Sequence, residues 1–532
     1  MMKLFSQLFN RVDSTTSTNE KIDALIEFFQ KAAPEDAIWT IALFSHKKPK
    51  RTISSSLLRK WAIEQSKLPP WLFEDTYHIV GDLAETIALS LPPHSEDSQL
   101  TLSGWIGEML FLRNAAIEEK KTFLLKAWRT LPKDQCFLFN KLITGGFRIG
   151  ISSRLIIKSL AKITGITEDT LTHRLTGNWN PATTSFHDLI LSEKINEGAS
   201  KPYPFYLAYA LDEAPENLGI PSDWQAEWKW DGIRGLMIYR NDDLYIWSRG
   251  EELVTEKFPE FQSLKQVGLP DFVLDGEIIG YKDNIILPFQ NLQTRIGRKN
   301  VTVKILYDCP AVMIIYDVLE WQSKDIRHHT LSYRRKVLEE FIELQLHSSP
   351  LLISPTIRFN HWDELVEIRN QARKKMAEGI MLKRMDSLYG VGRKKGDWWK
   401  WKADPLSIDA VMIYAQRGHG RRANLFSDFT FAVWTDDQTL IPVTKAYSGL
   451  TDIEFTEISN WVRKNTIERF GPVHAVPPVH VFEIAFEGIS ASARHKSGVA
   501  LRFPRIKKWR HDKTPDMADH LNTLFDMLKN FK

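Results

Sequence analysis

The spacing of apolar residues changes near residue 200, and this change constrains the fold more than any other feature of the chain. Before it, apolar residues recur at helical spacing, as at Ile22, Leu25, Ile26 and Phe29. After it, short strand-like runs alternate with turn dipeptides. The segment at the change, residues 196–204, combines glycine, serine and proline, as linkers do. The sequence therefore predicts an all-α leader followed by domains that contain strands.

The leader carries signals for the start and the end of helices. Ser17 and Glu20 form a capping box, and Pro34 stops the helical pattern that follows it. We find no internal repeat of fixed period. Further helices are predicted over the segments 55–65, 80–90, 105–131 and 153–164.

Beyond the linker, strands and helices alternate as in an α+β domain. Asn241-Asp242-Asp243 predicts a tight turn between two strands, and hence a hairpin. The predicted strands are 236–239, 244–247, 272–280, 285–287, 311–321 and 378–384, and the predicted helices are 332–344 and 362–375.

A second break, Ala403-Asp404-Pro405, divides the strand-rich part. Beyond it, short strands with tight turns predict a small β-barrel of the OB-fold type, followed by a helix over 515–529. The predicted strands are 409–415, 429–435, 440–445 and 480–487. Since 532 residues exceed what one core supports, we expect three domains, and these are 1–200, 201–403 and 404–532.

Composition excludes several classes of protein. The chain has no run of eighteen apolar residues, so no membrane span is expected. Its first residues lack the apolar segment of a secretory signal. Its cysteines are Cys136 and Cys309, without CxxC spacing, so neither a zinc site nor a disulfide framework is expected. A reducing cytoplasm fits these features.

Basic residues cluster although the net charge is only +4. Such clusters on a nearly neutral protein predict a polyanionic partner. The three clusters are Lys47, Lys48, Lys50, Arg51, Arg59 and Lys60; Arg393, Lys394, Lys395, Lys400 and Lys402; and Arg494, Lys496, Arg502, Arg505, Lys507, Lys508, Arg510 and Lys513.

The string from Lys229 to Arg234 reads K-x-D-G-x-R, and it predicts a lysine that accepts a nucleotide as a covalent phosphoramidate. Such a lysine needs an uncharged amine near neutral pH, which burial and neighbouring cations promote. Arg234, Lys400 and Lys402 are candidates for those cations, and they would also hold a triphosphate. Asp231-Gly232 is a turn dipeptide that lets the backbone approach a ligand.

Further motifs follow in a fixed order, and together they resemble those of the ATP-dependent DNA ligases of the covalent nucleotidyltransferase superfamily. The resemblance runs from Glu227 to Lys513. The strings that carry it are 229–234 (motif I), Ser248-Arg249-Gly250 (Ia), Asp275-Gly276-Glu277 (III), Tyr316-Asp317 (IIIa), 378–383 (IV), 399–402 (V), and 502–505 with 510–513 (VI).

The resemblance implies a role for each matched residue. Lys229 is the residue that becomes adenylylated, and Tyr316, where the family often has phenylalanine, stacks on adenine. Glu277 binds ribose or metal, and Glu378 serves the metal. Motif V reaches the α-phosphate, and motif VI orients the leaving pyrophosphate. The other residues implied in ATP binding are Glu227, Arg234, Arg249, Arg393, Lys400, Lys402, Arg502, Arg505 and Lys513, where Lys394 is the alternative to Arg393.

The helical leader resembles the DNA-binding domain that precedes the core in many DNA ligases. Its segment 142–152 is similar to a loop and helix start that lies near the duplex, which makes Arg148 a candidate for DNA contact. A second stretch, 289–298, also follows the DNA ligase pattern. It adds Arg295 and Arg298 as candidates for DNA contact.

The resemblance also implies a reaction. ATP and Mg²⁺ are the expected cofactors, nicked duplex DNA is the expected partner, and the enzyme is expected to be a monomer that serves DNA repair, replication and recombination. AMP passes from Lys229 to the 5′-phosphate at the nick, and the 3′-hydroxyl then displaces it. Motif VI must reach the triphosphate and later clear the way for DNA, so the barrel is expected to swing about 403–405 and the three domains to encircle the duplex.

Two other classes share some of these features. RNA ligases and mRNA capping guanylyltransferases use the same lysine chemistry, but the helical leader and the segment 289–298 argue against both. NAD⁺ dependence is disfavoured, because the zinc cysteines and leader of that group are absent. A non-catalytic nucleic-acid-binding protein would suit the leader, the basic clusters and the barrel. It would not explain Lys229 together with Glu277, Glu378 and Lys400.

Overall fold

A computed structural model of the protein describes residues 2–45, 47–93, 98–145, 150–177, 179–192, 199–266, 268–343, 349–418 and 425–530. The chain forms two compact units, one made of Met1–Ser152 with Asp404–Lys532 and the other of Ser153–Ala403. In the described part of the chain, no helix combines the length and the apolar character that crossing a membrane requires.

The first unit opens with helices that bury apolar side chains. In α1, for example, Phe5, Leu8, Phe9 and Val12 are buried at helical spacing. The helices are α1 Met2–Ser14, α2 Thr18–Lys31, α3 Pro34–Phe44, α4 Ser55–Ser66, α5 Pro70–Val80, α6 Leu83–Ser90, α7 Leu102–Phe111, α8 Ile117–Thr130 and α9 Lys133–Thr144, with a 3₁₀ turn at Leu112–Asn114. The region is helical as predicted, and α4 confirms the helix expected over 55–65.

Caps at the helix ends set the boundaries of α2 and α3. The predicted start of α2 is confirmed, because the Ser17 side chain accepts a hydrogen bond from the amide of Glu20. Only this half of the predicted capping box forms, since the Ser17 amide donates to Thr15 Oγ1. Pro34 follows the end of α2 and is also the first residue of α3. That position tolerates proline because its missing amide proton would have no partner within the helix.

Two predicted helices are shorter than expected. The helix predicted over 80–90 begins only after Gly81, which ends α5 in the left-handed conformation with a φ of 74°. Asp82 then caps α6 by accepting a hydrogen bond from the amide of Glu85 at 3.0 Å. The helix predicted over 105–131 is divided into α7 and α8 by the 3₁₀ turn between them.

The second unit combines helices with two main β-sheets and a short two-stranded sheet. Its helices are α10 Ser153–Thr164, α11 Glu168–Leu175, α12 Phe289–Ile296, α13 Val303–Asp308, α14 Leu331–Glu343 and α15 Trp362–Asn370. Its strands are β1 Tyr206–Leu207, β2 Tyr209–Ala210, β3 Trp224–Trp230, β4 Ile233–Arg240, β5 Asp243–Ser248, β6 Phe272–Lys282, β7 Ile285–Ile286, β8 Ala311–Trp321, β9 Lys324–Asp325, β10 Leu351–Ile353, β11 Thr356–Ile357, β12 Ala377–Arg384, β13 Gly392–Arg393 and β14 Trp398–Lys402.

Most strands of this unit match the prediction. The strand predicted over 311–321 is β8, and the predicted hairpin joins β4 to β5. Asn241 and Asp242 at its tip have φ values of 53° and 61°, as the favoured two-residue turn requires. The helices α12 and α13 were not predicted.

The two sheets differ in size and order. The larger sheet runs β10-β8-β6-β4-β5, with β7 paired to β6 and β9 paired to β8, and the smaller sheet runs β11-β3-β12-β14-β2. Leu274 and Ile315 of the larger sheet pack with Leu338 and Phe341 of α14 in one buried core. This core holds β4, β6 and β8 in place, so the polar residues on these strands have fixed positions.

The C-terminal part of the first unit is a sheet domain with two helices. Its strands are β15 Leu406–Arg417, β16 Phe426–Trp434, β17 Leu440–Ala446, β18 Glu468–Phe470, β19 Val473–Ala475, β20 Val481–Phe486, β21 Gly488–Ala491, β22 Val499–Arg502 and β23 Arg505–Trp509, and its helices are α16 Asp452–Asn465 and α17 Leu521–Asn530. β15 pairs with β16, β19 and β20, which makes it the central strand. The helix α16 was not predicted.

Candidate active site

Lys229 lies at the end of β3, just before the chain passes from one sheet to the other. β3 belongs to the smaller sheet and β4 to the larger one, so Asp231-Gly232 is a crossing between sheets and not a hairpin turn. A Cβ atom on Gly232 would lie 2.3 Å from the carbonyl oxygen of Ile278 in β6. Glycine is therefore required at this position, and it lets the two sheets meet beside Lys229.

A β-bulge in β12 brings a carboxylate to Lys229. Gly379 lies opposite Lys229 on one side and opposite Lys402 on the other, so the two lysines share one face of the sheet. The register shifts between Ala377 and Gly379, and Gly379 has a φ of 150°. Such a bulge re-aims a side chain. Lys229 Nζ donates to Glu378 Oε2 at 2.6 Å, and Lys402 Nζ lies 3.4 Å from the same atom.

The larger sheet contributes an arginine held by an aspartate. Arg234 of β4 donates to both carboxylate oxygens of Asp275 in β6, at 3.0 and 2.6 Å. The Tyr389 hydroxyl donates to the same carboxylate at 2.7 Å. The Asp275 side chain is fully buried, and the paired guanidinium balances its charge. Arg234 is thus held rigidly, with two of its donors engaged by Asp275.

Glu277 lies two residues after Asp275 and therefore on the same face of β6. Burial raises the pKa of Glu277 to about 8, although Lys229 and Arg234 act to lower it. Glu378 and Asp275 raise it further through charge repulsion. These mutual effects mean that the predicted lysine, arginine and two metal-binding glutamates lie within electrostatic reach of one another.

The raised pKa of Glu277 predicts how stability varies with pH. An unfolded glutamate ionises near about pH 4.3, whereas the folded carboxyl keeps its proton until the pH approaches about 8. Its contribution to stability is therefore complete below about pH 4.3 and is lost as the pH rises through about 8. We expect the melting temperature of Glu277→Gln, relative to wild type, to rise between roughly pH 5 and pH 8. Thermal unfolding at several pH values tests this, and a constant difference would contradict it.

Tyr316 lies beside a buried ion pair. It is half-buried in β8, and Lys383 Nζ lies 4.3 Å from the centroid of its ring. The same ammonium donates to Glu227 Oε2 at 2.6 Å, and Arg335 Nη1 lies 3.4 Å from the other oxygen of Glu227. Burial is the main cause that raises the pKa of Tyr316 well above its usual range. The ring therefore stays neutral, as stacking on a base requires.

Several cations lie within electrostatic reach of Lys400, which is two residues before Lys402 on the same strand. Burial lowers the pKa of Lys400, and repulsion from Arg393, Lys229, Lys402 and Arg249 lowers it further. Lys400 thus lies within electrostatic reach of other cations predicted to bind ATP and of Lys229, the predicted nucleophile. Together they would attract a polyanion such as a triphosphate.

The structure also separates the two candidates for the arginine before motif V. Arg393 acts on Lys400, and its guanidinium lies 5.7 Å from the ring centroid of Tyr209. Lys394 Nζ lies instead 3.6 Å from a carboxylate oxygen of Asp169. This contrast favours Arg393 as the residue that belongs to the site.

The prediction that Arg295 contacts DNA is wrong. Its side chain is fully buried and pairs with Glu260 through hydrogen bonds of 2.5 and 2.6 Å. It also donates to the backbone carbonyls of Lys257 and Cys309. All its donors are used inside the protein, so Arg295 is a structural residue. A signal was present in the sequence, since Leu292 precedes it by one helical turn and lies on the same buried face of α12.

We expect Arg295→Met to cost about 3 kcal/mol of folding free energy, because Glu260 would lose its buried partner. Arg298, which is exposed, provides the matched control. Arg298→Met should change stability by less than about 0.5 kcal/mol. Chemical denaturation measures both effects. The opposite result would be an Arg295→Met variant that keeps its stability but binds nicked duplex DNA more weakly. That result would restore the prediction that Arg295 contacts DNA.

The remaining predicted residues are located as follows. Arg148 lies outside the described residues, so its DNA contact stays a prediction. Residues 196–198 of the predicted linker also lie outside them. Arg505 Nη1 lies 2.9 Å from Glu487, and Lys513 pairs with Asp409. The predicted residues of motif VI lie in the C-terminal part of the first unit, on or after β22 and β23: Arg502, Arg505 and Lys513.

Sequence reasoning gave no individual role to Lys383, Arg335 or Tyr389, although each contacts a predicted site residue. For Lys383 a signal existed, because it lies four positions after Gly379 and alternation places both on one face of β12. For Arg335 and Tyr389 no local signal existed, since their contacts depend on how α14 and the loop after β12 pack.

The acidic residues of the site fit a metal ion that arrives with phosphate. Among the described residues, no group of three or more His, Cys, Asp or Glu side chains could hold a metal ion. Glu277 and Glu378 do lie close enough to affect each other's charge. Mg²⁺ commonly uses one or two carboxylates and completes its shell with substrate phosphate and water. The two glutamates match that requirement.

Sequence-family profiles match the chain in three successive parts. Residues 1–172 match the DNA ligase N terminus. Residues 206–402 match the ATP dependent DNA ligase domain, and residues 422–513 match the ATP dependent DNA ligase C terminal region. The profiles therefore account for most of the chain, in one consistent order.

Known proteins match over nearly the whole chain. A probable DNA ligase of Koribacter versatilis is 29% identical over 98% of this chain and 95% of its own length. DNA ligase 1 of Korarchaeum cryptofilum is 26% identical over 98% of this chain and 96% of its own length. The solved structure of Pmar-Lig_PreS3 has a similar fold, with a TM-score of 0.63 and 17% identity over 95% of this chain and 99% of that one.

Proposed function

The chain belongs to the family of ATP-dependent DNA ligases, and we propose that Lys229 carries the AMP from which this enzyme seals a nick. One observation carries the assignment. Lys229 lies with Lys402 around Glu378, while Glu277 and Arg234 of the other sheet lie within electrostatic reach. This arrangement supplies a nucleophile, a proton acceptor and cations for phosphate in one place.

The first step forms the enzyme adenylate. The uncharged amine of Lys229 attacks the α-phosphorus of ATP, and a P–N bond forms. The bond between that phosphorus and the bridging oxygen breaks, and pyrophosphate leaves with the electron pair. Glu378 Oε2, at 2.6 Å from the amine nitrogen, is placed to take the proton.

Positive charge stabilises the transferring phosphoryl group. Lys400 and Lys402 lie on the strand beside Glu378, and Arg249 and Arg393 act on the same region. Fixed cations lower the barrier because they need no reorganisation when charge develops on the phosphate oxygens. Mg²⁺, held by Glu277 and Glu378 together with phosphate oxygens, would supply further Lewis-acid stabilisation.

The nucleoside end of ATP belongs beside Tyr316. Its neutral ring can stack on adenine, and Glu227 lies next to it through the ion pair with Lys383. Arg234 is held by Asp275 near Glu277, which suits contact with ribose or phosphate. The nucleotide would then extend from Tyr316 at one end to Lys229 at the other.

The last two steps act on DNA. AMP moves from Lys229 to the 5′-phosphate at the nick, and the 3′-hydroxyl then attacks that phosphate and releases AMP. The helical leader would hold the duplex mainly through phosphates and the minor groove, so binding should depend strongly on salt and little on sequence. Arg148 and Arg298 are the proposed contacts, the enzyme acts as a monomer, and the cytoplasm is its proposed location.

The C-terminal sheet domain is assigned as the OB-fold of the enzyme. Arg502, Arg505 and Lys513 would orient the leaving pyrophosphate, which requires this domain to approach the nucleotide and later withdraw about 403–405. Asp409, which pairs with Lys513, would fix the position of that lysine.

A pulse-chase experiment tests the proposed function. The protein is incubated with α-phosphate-labelled ATP and Mg²⁺, freed of nucleotide, and chased with nicked duplex DNA. We expect label first on the protein, then on the DNA 5′-phosphate, and finally in free AMP as the nick closes. DNA and RNA nicks, and ATP and GTP, are compared in parallel. Sealing of RNA alone, or labelling by GTP alone, would contradict the assignment.

A further inference from the structure

We propose that Tyr389 is a positioning residue, and that its single buried hydroxyl group fixes both Arg234 and Arg393. Arg234 lies on the larger sheet, whereas Arg393 lies on the short sheet of β1 and β13. The inference rests on the proposed function of the site, because both arginines are predicted to bind ATP. Tyr389 would then act on self-adenylylation through these two side chains and not through the nucleotide.

The hydroxyl group of Tyr389 reaches the larger sheet through Asp275. It donates to Asp275 Oδ2 at 2.7 Å, the same oxygen that accepts from Arg234 Nη2 at 2.6 Å. Arg234 Nη2 also lies 3.5 Å from the oxygen of Tyr389. The carboxylate, the guanidinium and the phenol therefore form one connected network. Loss of the hydroxyl group would remove one of the donors that fix the carboxylate beneath Arg234.

The same hydroxyl group is also connected to the strand of Arg393. Its oxygen accepts a hydrogen bond from the backbone amide of Tyr206 in β1, at 3.3 Å. β1 pairs in parallel with β13, the strand that contains Arg393. The amide of Gly392 donates to the carbonyl oxygen of Phe205 at 3.0 Å, which extends this pairing. A short run of backbone hydrogen bonds thus connects Arg393 to the residue that Tyr389 contacts.

Close packing holds the ring of Tyr389 in place. Tyr389 is 5% exposed and belongs to one buried core with Tyr206 and Trp398. Its ring centroid lies 6.0 Å from that of Tyr206 and 5.7 Å from that of Trp398, both in edge-to-face geometry. A Cβ atom on Gly390 would lie 3.0 Å from the Tyr206 ring. The segment that carries Tyr389 therefore lies tightly against β1, and the hydroxyl group has a fixed position.

The contacts use both functions of the phenol, which are one proton to donate and an oxygen that accepts. The proton goes to Asp275, and the oxygen faces two donors, Arg234 Nη2 and the amide of Tyr206. Burial is the main cause that raises the pKa of Tyr389 well above its usual range, and the charge of Asp275 raises it further. The phenol therefore keeps its proton near neutral pH and donates to the carboxylate.

The two arginines lie where charge would develop during the reaction. Arg393 is within electrostatic reach of Lys400, and Arg234 is within electrostatic reach of Glu277. Fixed cations lower the barrier to phosphoryl transfer because they need no reorganisation as charge develops. A residue that holds such cations in place acts mainly in the transition state. Tyr389 should therefore contribute to kcat and little to KM.

The test removes the hydroxyl group and leaves the ring. In Tyr389→Phe we expect kcat of self-adenylylation to fall by about 10-fold, the lower end of what a hydrogen bond to a charged group contributes. We expect KM for ATP to change by less than about 3-fold. Initial rates with α-phosphate-labelled ATP over a range of concentrations give both constants. The matched control is Tyr245→Phe, which removes a hydroxyl group at the surface, 3.4 Å from Asp243, and should keep the wild-type constants.

A double-mutant cycle separates positioning from structural support. In an Arg393→Ala background, we expect the further loss caused by Tyr389→Phe to shrink to about 3-fold or less, because one of its two targets is gone. In an Arg505→Ala background the full loss of about 10-fold should remain, since Arg505 belongs to the other unit. A purely structural role would give the same loss in both backgrounds.

Two results would overturn the inference: a wild-type kcat in Tyr389→Phe, or a loss that persists undiminished in Arg393→Ala. Should Tyr389→Phe fail to fold in thermal unfolding, Gly390→Ala replaces it, because its Cβ pushes the same segment away from the Tyr206 ring. This variant should lower kcat and lose part of that effect in Arg393→Ala, and an unchanged kcat would again overturn the inference. A wild type that forms no adenylate on Lys229 would instead refute the proposed function.

Discussion

Lys229→Arg is expected to abolish covalent transfer of AMP from ATP to the protein, a loss on the order of 10⁴-fold or more. Arginine keeps the positive charge beside Glu378, so the ion pair that holds the side chain is retained. A guanidinium does not lose its proton in proteins and is therefore no nucleophile. The substitution thus removes the chemistry and leaves the electrostatics nearly intact. The measurement is the initial rate of label transfer from α-phosphate-labelled ATP.

Two controls belong to this experiment. Lys229→Arg should still seal a nick that already carries AMP on its 5′-phosphate, because that step does not use the lysine as a nucleophile. Lys265→Arg changes an exposed lysine of the same unit and should transfer label at the wild-type rate. Label that persists on the protein in Lys229→Arg would remove Lys229 from its role.

Gly379→Ala is expected to slow self-adenylylation by about 10²-fold or more, although no predicted contact of ATP is deleted. Its Cβ would lie 2.3 Å from the carbonyl oxygen of Trp401 and 2.6 Å from the Cα atom of Lys402. The added atom would force β14 away from β12, and with it Lys400 and Lys402. Misplacement of reacting groups by about 1 Å can cost 10²-fold in rate.

The matched control is Gly297→Ala at the end of α12. Gly297 has an ordinary helical φ of −64°, and its added Cβ would meet atoms no closer than 3.5 Å. We expect this variant to retain the wild-type rate. Thermal unfolding of both variants shows how much of any loss reflects global destabilisation. A folded Gly379→Ala enzyme with the wild-type rate would show that the bulge does not position Glu378 or the motif V lysines.

Local signals explain the parts of the fold that the sequence predicted. The turn at Asn241-Asp242 needs residues that tolerate positive φ, and both have it. The start of α2 follows from the side chain of Ser17 alone. The strand β8 matches the run of apolar residues that defines it. Each of these features depends on a few neighbouring residues, so a single sequence is sufficient to predict it.

Features that depend on distant partners were not predictable in this way. Nothing near Arg234 indicates that β4 joins the larger sheet while β3 joins the smaller one. The bulge that turns Glu378 towards Lys229 depends on the register between β12 and its two neighbours. Arg295 was assigned to DNA because its local pattern suited that role, whereas its burial depends on Glu260 packing against α12.

The most direct test of the central claim is to locate the AMP adduct. The wild-type protein is incubated with ATP and Mg²⁺, digested, and analysed by mass spectrometry that fragments each modified peptide. We expect one modified residue, with AMP bonded through phosphorus to Lys229 Nζ. AMP found on a different residue, or a protein that seals nicks without any adduct, would contradict the account.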